Sequence, residues 1–156
     1  INESLEKTDD FIDHLATIYR YILSVKEKQL ISFTEEVTVV KVLIKLLNYL
    51  PYRNVTLEDN IENKFLTVPA TFLFLVEQIV RTTIISSNSE LKLTVTDNDA
   101  FIALEYHTND KISTKFSKEN ITELERVFSI YSLENIEMIE INETRKILIP
   151  KLHLKL

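Results

Sequence analysis

The chain contains 156 residues, of which 45% are hydrophobic and 27% charged, a composition typical of a globular domain with a core of its own. It has no glycine and no cysteine, which excludes glycine-rich phosphate loops, disulfides and thiolate metal sites. The net charge of −6 argues against nonspecific binding to nucleic acid, because such binding needs a basic surface. No apolar run reaches the roughly 18 residues of a membrane span, and the start at Ile1 predicts that the chain is a piece of a longer protein.

The first predicted element is a helix over residues 5–26, where apolar side chains recur at helical spacing. Several of them lie seven residues apart and form a seam, which is typical of pairing with another helix in the same chain or in a partner. An ordinary helix that lies on its own domain is the alternative. The seam consists of Leu5, Ile12, Leu15, Tyr19 and Ile22.

A second helix is predicted to begin near Ser32 and to end before Pro51, since Ser32 and Glu35 have the spacing of a capping box. The paired acids Glu35 and Glu36 are interpreted as first-turn residues that the helix dipole favours. Residues 54–61 have the apolar spacing of a strand.

A third helix is predicted to open at Pro69, and beyond that helix the hydrophobic period changes to two. The later elements are strands at 91–95 and 101–104, a helix over 117–132, and a hairpin of 136–141 and 146–152 that turns at Asn142 and Glu143. This order predicts an α+β fold, a two-layer sandwich with helices on one face of a mixed, mainly antiparallel sheet, preceded by an N-terminal helix.

Two stretches resemble the C-terminal half of LytS/YehU-type sensor histidine kinases. Residues 19–37 resemble the family's helix end and following "E-E-L" segment, and residues 75–81 match its "L-V-E-N-A-I-K-H" motif, with Pro69 at its "I-P-P". The resemblance implies the GHKL fold, that of histidine kinase-like ATPases. It implies that residues 1–30 are the C-terminal part of a dimerisation helix with its connection, and that residues 31–156 are the ATPase domain.

The resemblance places three candidate site residues on the third helix. Glu77 is the candidate catalytic carboxylate, and it would bind nucleotide together with Gln78 and Arg81. Gln78 stands where the family has an asparagine that binds magnesium, and its side chain is one methylene longer. The alternatives are a solvated Glu77, a hydrogen-bonding Gln78 and a surface Arg81 that the helix dipole favours. The three histidines of the chain share no metal-ligand spacing, so a zinc site is not predicted.

The sequence departs from the family where the rest of the nucleotide should be held. Tyr106 and His107 stand where an adenine-binding Asp or Asn is expected. Residues 118–123 align with the family's "G-x-G-L-x-N" motif without its glycines. Glu119 and Glu123 would lie near the phosphates, and their carboxylates would repel them. These departures predict that ATP binding is lost or nearly lost.

The leading hypothesis is a cytoplasmic domain of a membrane-anchored bacterial sensor, a pseudokinase that acts in signal transmission. The resemblance implies a homodimer through the first helix and a response regulator, of LytTR type, as partner. The phosphoacceptor histidine and the membrane segment would lie before Ile1. An active autokinase that still binds Mg-ATP through unorthodox ligands is one alternative. A non-enzymatic protein-interaction domain that uses residues 108–120 is another.

Overall fold

The structure is a computed structural model that describes residues 2–51, 53–61 and 64–153, with side chains from residue 7 onward. Its helices are α1 (Asn2–Val25), α2 (Phe33–Asn48), α3 (Thr71–Thr82) and α4 (Thr122–Phe128), with a 3-10 turn at Lys118–Ile121. Its strands are β1 (Ile31–Ser32), β2 (Val55–Asn60), β3 (Leu66–Thr67), β4 (Leu91–Asp97), β5 (Phe101–His107), β6 (Glu137–Ile141) and β7 (Thr144–Pro150). In this part of the chain, no helix is long and apolar enough to cross a membrane.

The main sheet has five strands in the order β2-β4-β5-β7-β6. The pairing of β2 with β4 is parallel, and the other three pairings are antiparallel. β1 and β3 form a separate antiparallel ribbon that the sequence did not predict, because two-residue strands leave no periodic pattern. The predicted α+β sandwich with a mixed, mainly antiparallel sheet is confirmed.

One face of the sheet is apolar because alternate residues of each strand point to the same side. The side chains of this face are buried under the helices, and they include Leu91, Leu93 and Val95 of β4, Ile102, Leu104 and Tyr106 of β5, and Arg145, Ile147 and Ile149 of β7. Helices α2 and α3 cover them with Val40, Phe72, Leu75, Val76 and Ile79, all of which belong to the same core. A helix layer therefore lies on one side of the sheet.

Helix α1 has two apolar faces. Ile18 and Val25 belong to its inward face and are buried, whereas Ile12 and Tyr19 are 55% and 61% exposed. The exposed apolar face of α1 consists of Ile12, Leu15, Tyr19, Ile22 and Leu23. This face contains the predicted seam except Leu5, whose side chain lies outside the described residues. The predicted boundary at residue 30 falls in the connection between α1 and β1, and the division into two units stays a prediction.

Two helix boundaries differ from the sequence prediction. The helix predicted to open at Pro69 begins at Thr71, because Ala70 adopts the left-handed conformation with φ 66°. The helix predicted over residues 117–132 is divided into the 3-10 turn and the short α4. At its far end the Ser129 hydroxyl donates a hydrogen bond to the Arg126 carbonyl, and such side-chain bonds compete with helix continuation.

The start of α2 and the turn between β6 and β7 can also be compared with the sequence prediction. Ser32 directly precedes α2 but, among the described contacts, its side chain makes no capping bond, so that part of the capping-box prediction is wrong. The predicted turn at Asn142 and Glu143 is confirmed, and both residues have positive φ, 49° and 64°, as a two-residue hairpin turn requires.

Candidate functional site

The three predicted site residues of α3 contact one another. Gln78 Nε2 donates a hydrogen bond to Glu77 Oε2 at 2.8 Å, and Arg81 forms an ion pair with the same carboxylate one turn along the helix. The carboxylate of Glu77 is therefore neutralised within α3. Arg81 remains largely exposed, as expected for a cation in the last turn of a helix.

Gln78 is also bonded to the 3-10 turn. Asn120 Nδ2 donates a hydrogen bond to Gln78 Oε1 at 2.9 Å, and Asn120 Oδ1 accepts one from the Ser117 backbone N–H at 2.9 Å. The amide oxygen that a magnesium ion would need thus already has a protein donor. No group of three or more acidic or histidine side chains that could hold a metal occurs among the described residues. These side chains do not fit a magnesium site.

The two carboxylates predicted near the phosphates lie at the surface. Glu123 is exposed and pairs with Arg126, whose Nε lies 3.3 Å from Glu123 Oε2. The hydrogen bonds from Arg126 hold the pKa of Glu123 below its usual range. Glu119 is exposed as well. Arg126 therefore balances the charge of Glu123 at the start of α4, where the "G-x-G-L-x-N" alignment falls.

At the end of β5, Tyr106 and His107 point to opposite faces of the sheet. Tyr106 is buried, and its hydroxyl accepts a hydrogen bond from Arg145 Nη1 at 2.7 Å. His107 is exposed, with its Nε2 3.6 Å from a carboxylate oxygen of Glu143. The acidic residue after β5 is Asp110, and it also binds Arg145, at 2.8 and 3.0 Å.

Arg145 stands at the centre of this arrangement, which we call the Arg145 cluster: Tyr106, Asp110, Phe116, Glu140 and Arg145. The sheet register places Glu140 of β6, Arg145 of β7 and Tyr106 of β5 in one row across three strands. Arg145 Nε donates to Glu140 at 2.8 Å, and the guanidinium lies 5.2 Å from the centre of the Phe116 ring. The Arg145 side chain is 1% exposed. The cluster thus occupies the helix-facing side of the sheet end where adenine recognition was expected.

The cluster keeps fixed charges at neutral pH. Burial lowers the pKa of Arg145, but its hydrogen bonds to Asp110, Tyr106 and Glu140 outweigh that effect and raise the pKa above its usual value. Burial raises the pKa of Tyr106 to about 12, so its hydroxyl stays neutral. Four hydrogen bonds from the guanidinium reach Glu140, Tyr106 and both carboxylate oxygens of Asp110, which makes the cluster a structural hydrogen-bond network.

Sequence analysis missed Arg145, although a signal was present. Arg145 lies two and four residues before Ile147 and Ile149, which point into the core. A period of two therefore places the arginine on the buried face. The predicted strand began at residue 146, two residues after the observed start of β7 at Thr144, and therefore left Arg145 out.

A small, open cavity lies next to Glu77 and Arg81. Its volume is about 200 Å³, and its cations are Arg53, Arg81 and Lys111. Ligand pockets for molecules of nucleotide size usually measure about 300–1,000 Å³. The volume of this cavity lies below that range.

A second buried network lies at the other end of α3. Glu36 is 0% exposed and accepts hydrogen bonds from the backbone N–H groups of Ala70 at 3.1 Å and Leu73 at 3.0 Å, and from the Tyr21 hydroxyl. Burial raises the pKa of Glu36 to about 7, although the backbone hydrogen bonds lower it. Glu36 lies in the first turn of α2 as predicted, and its carboxyl group also caps the start of α3, which the sequence did not predict.

Comparisons with known proteins support the fold. Neither a protein-family model nor a curated protein matches this sequence. Among solved structures, the chain is similar to the histidine kinase AdeS of Acinetobacter baumannii, with a TM-score of 0.54 and 13% identity over 97% of this chain and 82% of that chain. The chain therefore has the fold of the histidine kinase ATPase-like domain. The closer LytS-type resemblance stays a prediction.

Proposed function

We propose that this chain is the ATPase-like region of a two-component sensor histidine kinase that has lost most ligands for Mg-ATP and acts in signal transmission. The fold it shares with AdeS supports the kinase part of this proposal. The Arg145 cluster supports the loss of nucleotide binding, and it is the observation on which the proposal chiefly rests.

At the adenine end, the Arg145 cluster occupies the position where a base would be expected to bind. Arg145 is 1% exposed and forms hydrogen bonds to Tyr106, Asp110 and Glu140. A base that entered this end of the sheet would have to displace the guanidinium and leave two carboxylates without their partner. Breaking a buried ion pair costs about 3–5 kcal/mol, which is a large share of the binding free energy of an ATP ligand.

At the phosphate end, the groups that would bind magnesium are already engaged within the protein. The carboxylate of Glu77 is held by Arg81, the amide oxygen of Gln78 by Asn120, and Glu123 retains its negative charge. Bound magnesium normally neutralises the phosphates and needs one or two carboxylate or amide oxygens from the protein. With those oxygens engaged, a magnesium ion would find neither of its expected ligands free, and the triphosphate would lose the bridge that the metal normally supplies.

Isothermal titration calorimetry with Mg-ATP tests the proposal. The chain is expected to give no saturable heat up to millimolar nucleotide, and Gln78→Ala is expected to behave identically. Micromolar binding that Gln78→Ala abolishes would contradict the proposal and favour the alternative below.

The alternative is an active autokinase with unorthodox ligands. Glu77 and Arg81 line the same cavity as Arg53 and Lys111, and Gln78 is hydrogen-bonded to Glu77, which favours this alternative. In that case Glu77 would be the catalytic carboxylate and Gln78 the magnesium ligand, once Mg-ATP had displaced Arg81 and Asn120 from them.

The resemblance adds partners to the proposal. The exposed apolar face of α1 fits a homodimer through the first helix, and a LytTR-type response regulator would be the downstream partner. The domain would then be the cytoplasmic part of a membrane-anchored bacterial sensor, attached through the segment before Ile1. In a purely non-enzymatic version, residues 108–120 would bind the partner.

A further inference from the structure

The start of α3 is capped by a side chain from another helix. Ala70 occupies the N-cap position, and its methyl group cannot accept a hydrogen bond. The first backbone N–H groups of a helix have no partner within the helix and are usually bound by a Ser, Thr, Asp or Asn side chain at this position. The Glu36 carboxyl group takes that role from α2, since it accepts hydrogen bonds from the backbone N–H groups of Ala70 and Leu73.

The conformation at the start of α3 is unfavourable for the residues that adopt it. Ala70 has φ 66° and therefore lies in the left-handed region, where Cβ comes close to the following carbonyl oxygen. The next residue, Thr71, buries a hydroxyl oxygen that has no hydrogen-bond partner among the described residues. Backbone strain of this kind persists only where the surrounding contacts hold it. The hydrogen bonds to Glu36 are such contacts, so the start of α3 depends on them.

A third donor reaches Glu36 from α1. The Tyr21 hydroxyl donates a hydrogen bond to Glu36 Oε2, the oxygen that also binds Ala70, while Oε1 binds Leu73. Because a carboxyl group is planar, a contact that fixes Oε2 also fixes the direction of Oε1. Three other polar side chains of α1 donate hydrogen bonds to carbonyl groups of α1 itself, namely those of Thr17, Arg20 and Ser24. Tyr21 differs from them because it links α1 to α2 and, through Glu36, to α3.

The two helices that meet at Glu36 face different surroundings. α1 exposes an apolar face to outside contacts, with large side chains such as Tyr19, which is 61% exposed. α3 carries Glu77 and Gln78, and Gln78 is bonded to the 3-10 turn through Asn120. The Glu36 carboxyl group therefore lies between a helix that can receive a contact and the helix that carries the candidate site. A cap that served the stability of α3 alone would need no bond to α1.

We propose that Glu36 couples the position of α1 to the start of α3. While α1 is packed on the domain, Tyr21 holds the Glu36 carboxyl group against the first turn of α3. When α1 shifts, that turn loses its cap and Ala70 can leave the left-handed conformation, which supplies the two-state element that such coupling requires. The proposal does not depend on whether the domain binds nucleotide.

Amide hydrogen exchange, followed by NMR on the intact chain, tests the coupling. Tyr21→Phe keeps the ring and removes the hydroxyl. It should speed exchange of the Leu73 amide about three- to tenfold, because the acceptor of that amide is no longer held in place. The increase should be the same at low concentrations of urea, since a local opening exposes little surface. Tyr19→Phe removes the same hydroxyl from an exposed position of α1 and should change the Leu73 rate less than twofold.

A second variant tests whether Tyr21 acts through Glu36. Glu36→Met has a side chain of similar length without an acceptor, so the Leu73 amide should exchange faster in this variant. Adding Tyr21→Phe should then change the rate less than twofold, because the link is already broken. Equal Leu73 exchange in the natural chain and in Tyr21→Phe would overturn the proposal. An undiminished effect of Tyr21→Phe in the Glu36→Met background, or an increase that grows with urea as global unfolding does, would overturn it as well.

Discussion

At the scale of single residues, Arg145 joins parts of the chain that are distant in sequence. Its guanidinium connects β7 to β6 through Glu140, to β5 through Tyr106, and to the following loop through Asp110. A charge that is 1% exposed is stable only because these acceptors surround it. Removing the guanidinium would leave two carboxylates close together without a cation.

Replacing Arg145 by methionine keeps the apolar stem and removes the charge. We expect Arg145→Met to lower the free energy of unfolding by about 3–5 kcal/mol, the cost of leaving the largely buried Asp110 carboxylate without its cation. Urea denaturation measures this change in the free energy of unfolding. Lys146→Met, at the next position and on the opposite face of β7, is the matched control and should change stability by less than about 0.5 kcal/mol. Equal effects of the two substitutions would contradict this account of the cluster.

Glu36 makes stability depend on pH in the direction opposite to that of most carboxyl groups. Its pKa is about 7 in the folded chain and 4.5 in its ordinary state, so folding favours the protonated form. The resulting stabilisation is fully present below pH 4.5 and is lost as the pH rises through about 7.

The variant Glu36→Gln resembles the protonated side chain at every pH. We expect the stability of the natural chain to fall by about 2–3 kcal/mol relative to Glu36→Gln between pH 5 and pH 8. Urea denaturation of both proteins at these two pH values gives the difference. Parallel behaviour of the two proteins would mean that Glu36 does not titrate in this range.

At the scale of elements, α1 carries the clearest sign of a missing contact. Ile12, Tyr19 and Leu23 are 55%, 61% and 68% exposed on one face of a 24-residue helix whose other face is packed on the domain. Adjacent large apolar side chains on a single face are typical of a helix that pairs with a partner. The homodimer proposed above would cover this face.

Tyr19→Glu places a charge at the centre of the exposed apolar face of α1. We expect the natural chain to be dimeric in light scattering at high concentration and Tyr19→Glu to be monomeric, because a buried unpaired carboxylate would have to enter the interface. Ser24→Glu adds the same charge on the same helix but outside that face, and it should leave the dimer intact. A monomeric natural chain would contradict pairing through these residues alone.

Periodic sequence patterns predicted the regular elements but not the local side-chain bonds that end or divide them. Alternation in residues 91–95 and helical spacing in residues 5–26 predicted β4 and α1 because one buried face imposes a regular period. The predicted helix over 117–132 was too long, since the pattern does not reveal that Ser117 and Asn120 bond each other and tighten the first turn into a 3-10 turn. Local side-chain bonds of this kind are decided by geometry, not by period.

The candidate site was predicted less completely than the fold. The resemblance brought Glu77, Gln78 and Arg81 together on α3, and the structure places them in contact. It gave no indication of Asn120 as the partner of Gln78 or of Arg145 as the centre of a cluster, because both contacts join segments that are far apart in sequence. Their roles in binding nucleotide stay predictions.

At the scale of the whole molecule, the fold persists without glycine. Three described residues have positive φ, namely Ala70, Asn142 and Glu143, and none of them lies in the segments aligned with the family's glycine-rich motifs. Those segments follow ordinary backbone conformations instead, such as the 3-10 turn before α4. The sandwich therefore needs no glycine for its own stability, whereas close approach of backbone to phosphate does.

The most direct test of the central claim is thermal unfolding of the chain with and without millimolar Mg-ATP. A ligand at about a hundred times its dissociation constant adds about 2.7 kcal/mol to stability, which at this chain length raises Tm by about 5–10 °C. Our account predicts no shift with Mg-ATP, since the Arg145 cluster and the Gln78–Asn120 bond already use the groups that a nucleotide would need. A shift of that size, lost in Gln78→Ala, would contradict the account and establish a nucleotide-binding domain with unorthodox ligands.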